Sequence, residues 1–112
     1  MMVDVIVRAV KGATVIDLHG RLDMNARWHF KAIMNQCCLN ESEHVIINLS
    51  GLTFIDSAGL GFLVTAYMQF TGLKRRMTWV QPQGVVATLL DELKLQELVP
   101  IYESEKEAIS EL

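Results

Sequence analysis

Val45-Ile46-Ile47 is the stretch of this 112-residue chain that most restricts its fold. Three β-branched residues in a row leave no polar face. A strand built from them must be covered on both sides, as happens inside parallel sheets. The expected strand occupies residues 44–49, and its cover has to come from helices elsewhere in the chain. Helical stripes are present on both sides of it. Phe30, Ile33, Met34 and Cys37 fall at i, i+3, i+4 and i+7, with Ala26 on the same stripe. They predict a helix over residues 24–39, capped by Asp23 or Asn25. Leu60, Leu63, Val64 and Tyr67 predict a second helix over residues 57–70, which Gly72 is placed to stop. Val86, Leu89, Leu90 and Leu93 form a third stripe. Ser104-x-x-Glu107 is a capping box ahead of Ala108, Ile109 and Leu112, hence a short last helix.

The remaining segments read as strands. Residues 3–10 carry Val3, Val5 and Val7 on one face, and residues 13–19 carry Val15, Ile16 and Leu18. The two pair as a hairpin around Lys11-Gly12. Residues 77–80 form a strand ended by Pro82, and residues 98–102 a short extended piece. Gly20-Arg21-Leu22-Asp23, residues 40–43 and residues 50–56 are read as breaks and loops. The order ββαβαβα(β)α gives an α/β fold with a small mixed β-sheet covered by about four helices, one domain over residues 1–112.

Composition narrows the function. Hydrophobic residues are 51% and charged residues 21%, with two prolines, which excludes a disordered chain. The longest nearly apolar stretch, residues 59–68, is far short of the roughly 20 residues of a membrane span. Met1-Met2-Val3-Asp4 has no basic and then apolar run, so no signal peptide and a cytoplasmic location are expected, with no membrane partner. Net charge is −3 and the basic cluster is Lys74-Arg75-Arg76, a solvated connection, so no nucleic-acid partner is expected. Adjacent Cys37 and Cys38 do not suit a disulfide: Cys37 belongs in the core and Cys38 at its boundary. No Cys/His cluster has metal-ligand spacing, and no metal or cofactor is expected. Gly59-Leu60-Gly61 lacks the third glycine of a dinucleotide fingerprint, and Ile55 stands where a hydrolase elbow demands glycine. No catalytic residue is assigned and no enzyme is expected. Met24, Met34, Met68 and Met77 are read as core fillers. Trp28 falls off the first helical stripe and is a candidate partner contact.

In sheets of this kind the functional crevice lies at the carboxyl ends of the strands, which here are residues 20–25 and 50–59. Asp56 and Ser57 stand at a helix start. Both are good N-caps, which is one sufficient reason for their presence. The other is display of Ser57 at a helix N-terminus, where backbone N–H groups and the helix dipole accept a phosphate.

Asn48-Leu49-Ser50-Gly51-Leu52-Thr53-Phe54-Ile55-Asp56-Ser57-Ala58-Gly59-Leu60-Gly61 resembles the signature of the STAS family, and within it that of anti-sigma-factor antagonists. Gly20-Arg21-Leu22-Asp23, Leu89-Leu90 with Leu93-x-Leu95, and Val99-Pro100-Ile101-Tyr102 resemble further family segments in matching order. Asn48 and Ala58 depart from the family's commoner residues. The resemblance implies a STAS-like fold and a partner switch. The unphosphorylated antagonist binds an anti-sigma factor that is also a serine kinase, and so frees the sigma factor. Phosphorylation on Ser57 releases it, and a serine phosphatase resets the cycle. Asp23, Asp56, Ser57, Ala58, Gly59 and Gly61 are the expected partner-binding residues. The alternative is a STAS scaffold subunit of a transporter complex, not regulated by phosphorylation.

Overall fold

The computed structural model describes residues 3–39 and 42–110. Strand β1 (Asp4–Val10) turns at Lys11-Gly12 into β2 (Ala13–Leu22). Both turn residues have positive φ, 42° and 83°. That is the left-handed geometry of a two-residue hairpin whose twist matches its strands. A 3-10 turn (Met24–Ala26) leads into α1 (Arg27–Leu39), followed by β3 (His44–Ile55) and α2 (Ser57–Gly72). Then come β4 (Arg76–Val80), α3 (Gly84–Glu92), a second 3-10 turn (Leu95–Glu97), β5 (Ile101–Tyr102) and α4 (Glu105–Ser110). The sheet order is β1-β2-β3-β4-β5. β1 and β2 are antiparallel, and every later pairing is parallel. The expected element order and the mixed sheet are both present.

Val45, Ile46 and Ile47 are fully buried, as an apolar run in a two-sided strand requires. Alternate residues feed two cores. Ile16, Leu18, Val45, Ile47, Met77 and Trp79 join side chains from α1, α2 and α3 on one face. Ala13, Val15, Ile46 and Val80 pack with Ala108 of α4 on the other.

Four expectations are corrected. Residues 50–56 are not a loop: β3 continues to Ile55, and β2 continues through Gly20 to Leu22. The polar Ser50, Gly51 and Thr53 hide this, because the alternation breaks at two bulges. Asp17 pairs with Asn48 but His19 with Gly51, and Gly20 pairs with Leu52 but Arg21 with Phe54. Each shift adds one residue to β3, so Leu49, Leu52 and Ile55 all reach the core at a spacing of three. The first helix begins as a 3-10 turn, with regular α geometry only from Arg27. Of the four methionines read as core fillers, Met34 and Met77 are buried, but Met24 and Met68 are 66% and 56% exposed. The expected break over residues 40–43 lies partly outside the described residues, as does Leu112. Arg75 does more than bridge a solvated connection: its guanidinium donates to the Cys37 carbonyl near the end of α1 (3.1 Å).

Candidate functional site

The paired extensions of β2 and β3 set the site. Leu22 lies opposite Ile55, so Asp23 and Asp56 follow directly from the ends of neighbouring paired strands. Each caps the helical turn that begins just after it. Asp23 Oδ1 accepts the Asn25 N–H (3.0 Å) at the 3-10 turn. Asp56 Oδ1 accepts the Gly59 N–H (2.8 Å) at the start of α2. Asp56, not Ser57, is therefore the N-cap of α2. Ser57 is its first residue and is exposed. The Ser57 hydroxyl has no part in that cap, so the helix start holds without it.

Gly59 is buried where α2 crosses β2: a Cβ there would stand 1.9 Å from the Leu22 carbonyl oxygen. The helix can sit this low over the strand ends only because that position has no side chain. Gly61, two residues further along, faces open space. Ala58 is half-buried on the side toward α1. On the opposite flank the Arg21 guanidinium lies 3.9 Å from the centre of the Phe54 ring. Arg21 Nε also stands 3.8 Å from Asp23 Oδ2. Thr53 donates to the Gly20 carbonyl, tying the two extensions together (3.2 Å). An exposed hydroxyl thus sits at a helix N-terminus beside the capping carboxylate of Asp56, on a double-stranded support whose other strand leads into Asp23.

The profile of the STAS domain family matches residues 4–108. The chain belongs to the STAS family. An anti-sigma F factor antagonist of Paenibacillus polymyxa is 29% identical to it over 103 residues, which is 91% of this chain and 88% of that protein. An anti-sigma factor antagonist from Mycobacterium paratuberculosis shares the fold with a TM-score of 0.86, at 20% identity, over 96% of this chain and 92% of the other. The Bacillus cell fate determinant SpoIIAA in its phosphorylated form shares it with a TM-score of 0.73, at 21% identity, over 96% and 98% of the two chains.

All six expected partner-binding residues of this STAS domain lie at the one end of the sheet. They differ in kind. Ser57 and Gly61 are exposed, Asp23, Asp56 and Ala58 are half-buried, and Gly59 is inaccessible. Sequence reasoning missed the groove beside them. It runs between α1 and α2, about 550 Å³ in volume, with Phe30, Met34 and Phe62 among its lining residues and Arg27, Trp28 and Lys31 on the α1 side. Its signal was the off-stripe Trp28, which is 73% exposed. Also missed was the cluster around Asp17, where Arg8 and Asn48 converge on one carboxylate. Those hydrogen bonds hold the Asp17 carboxyl below its ordinary range, with the Arg8 contribution the largest and burial opposing it. Among the described residues, no helix is long and apolar enough to cross a membrane.

Proposed function

We propose that this STAS domain is an anti-sigma-factor antagonist in a partner-switching system, released from its partner by phosphorylation on Ser57. The observation that carries the reading is the separation of duties at the start of α2. Asp56 caps the helix and Ser57 stands free beside it. Phosphorylation adds about −1.5 to −2 charges at Ser57 without removing the capping hydrogen bond. The helix N-terminus tolerates that charge, worth roughly 0.3–1 kcal/mol of dipole stabilisation. A partner packed over the same spot does not, because it must desolvate a phosphate beside Asp56 at the end of the sheet that also bears Asp23. The fold persists and the complex fails, as a reversible switch requires.

The partner in this reading is an anti-sigma factor that is also the serine kinase, and a serine phosphatase restores the binding form. The domain acts as substrate and ligand, in the cytoplasm, with its site on Asp23, Asp56, Ser57, Ala58 and Gly61. Gly59 serves that site by seating α2.

The test uses the purified chain with its cognate kinase and ATP, and maps the modified residue by mass spectrometry. Modification at Ser57 is expected, and modification confined to Ser50 or Thr53 overturns the assignment. Ser57→Asp should melt at or slightly above the wild-type temperature and bind the kinase at least tenfold more weakly. A tenfold loss needs only about 1.4 kcal/mol. Unchanged binding by calorimetry would contradict the switch, whereas Ser57→Ala should bind and never be released.

A further inference from the structure

The two helices that wall the groove carry an unusual distribution of charge. The 16 residues of α2 contain no Asp, Glu, Lys or Arg, although Ser57, Gly61, Thr65, Met68 and Gln69 of that helix are exposed. The 13 residues of α1 contain two cations, Arg27 and Lys31, and no carboxylate. Both cations line the groove. The chain as a whole is net acidic, so this face departs from the rest of the molecule. An exposed helix face without charge costs little to desolvate, and depletion of charge is the composition of an interface core. Trp28 stands at the mouth of the groove, with Lys31 Nζ 5.6 Å from its ring centre. Exposed Trp and Arg at such a place are the residues that most often carry binding energy.

The shape is equally specific. Ala58, Gly61 and Thr65 line the groove along α2, ending at Gln69. From Ala58 to Gln69 is three turns, about 16 Å. The small residues leave a trough open above Gly61, where an added Cβ would meet nothing within 4 Å. A trough of that length between two helices accepts the apolar ridge of a third. Its upper end is the turn that carries Ser57, so an occupant of the groove is continuous with whatever covers the phosphorylation site.

We propose that the α1–α2 groove is a second part of the kinase-binding surface, and that it takes an amphipathic helix of the anti-sigma factor with acidic residues flanking its apolar ridge. The acidic flank pairs with Arg27 and Lys31, and the ridge packs on Trp28, Phe62 and the open space at Gly61. This rests on the partner-switching reading above and adds to it a docking element away from the reacting hydroxyl. Such an element raises affinity and the rate of encounter without touching the phosphoryl transfer, so it belongs in KM and not in kcat.

The experiment measures kinase affinity by calorimetry, and KM and kcat for Ser57 phosphorylation, on four variants of the full chain. Trp28→Ala removes an exposed ring, and Thr65→Phe fills the trough from an exposed position on its α2 wall, outside the residues already assigned to the site. Arg27→Glu with Lys31→Glu reverses the charge. Met68→Ala, exposed on α2 but outside the groove, is the control. Trp28→Ala and Thr65→Phe should each weaken binding at least tenfold and raise KM with kcat retained. The charge reversal should slow association most at low salt, and Met68→Ala should match wild type. Affinities of Trp28→Ala and Thr65→Phe within threefold of wild type overturn the proposal. So does self-association of the wild type that Trp28→Ala abolishes at unchanged kinase affinity, since the occupant is then a second copy of this chain. Failure of the wild type to bind the kinase, or to be phosphorylated on Ser57, brings down the partner-switching reading itself and is seen before any groove variant is made.

Discussion

Gly59 and Gly61 sit two positions apart in one helical turn and answer to opposite constraints. At Gly59 the nearest atom to an added methyl is the Leu22 carbonyl oxygen, part of the β2 backbone, which cannot swing aside as a side-chain tip would. Gly59→Ala should therefore destabilise by about 1–3 kcal/mol through overpacking. At roughly 4–8 °C per kcal/mol for a domain near this size, thermal melting reads that loss directly. Gly61→Ala meets open space in a helix interior. It should gain up to about 1 kcal/mol from helix propensity alone. Equal effects of the two substitutions would show that α2 does not seat on β2 through Gly59. The sequence displays two glycines in a motif and cannot separate them, because the groups across from each belong to other parts of the chain. Ser57 was legible for the opposite reason. Its place at a helix start follows from its immediate neighbours.

At the scale of elements, local pattern predicted each strand and helix where one periodicity ran through it. It failed where two bulges interrupted the alternation and turned the end of β3 into an apparent loop. The pairing of β3 with β4 holds a second feature that pattern does not reveal. His44 opens β3 as expected, yet it is almost wholly buried. Its Nε2 lies 3.0 Å from Thr78 Oγ1 on β4, and its Nδ1 has no partner among the described residues. Burial, and to a lesser degree the charge of Arg76, pushes the imidazole pKa below its ordinary value of 6.5. The folded state therefore keeps His44 neutral at a pH where the unfolded chain protonates it. Stability is fully present above about pH 6.5 and is lost as the pH falls from there toward the depressed folded value. The melting temperature should decline from pH 7 to pH 5, a window above that of the carboxylates. His44→Gln, which can still bond to Thr78, should flatten that slope even if it is less stable throughout. Parallel slopes for the two proteins would remove His44 as the responsible group.

Across the whole molecule, the order of elements and the end of the sheet that bears the site could be read from the chain. The tie between its two terminal regions could not. Arg8 on β1 reaches Asp17 on β2 and Glu105 on α4, 97 residues away, with contacts of 2.7 and 2.6 Å. This one guanidinium fastens the last helix over the smaller core and the N-terminal hairpin to it. Both carboxylates depend on it. With Arg8 present, Asp17 ionises more readily than usual, so its contribution persists above about pH 4 and is lost as the pH falls through its lowered pKa. In Arg8→Met the aliphatic packing is kept, but two acids face each other with no cation between them. Burial then raises the Asp17 pKa where the ion pair had lowered it. Arg8→Met should thus be clearly less stable than wild type at pH 7. The loss should stay below the roughly 3–5 kcal/mol of a fully buried broken pair, because the arginine is partly exposed. As the pH falls below about 4 toward the lowered Asp17 pKa, the ion pair's contribution to the wild type fades and the deficit should shrink. Denaturant titrations of the two proteins at pH 7 and near pH 3.5 check this. A deficit that stays constant or grows on acidification would mean that α4 is held by its apolar contacts alone.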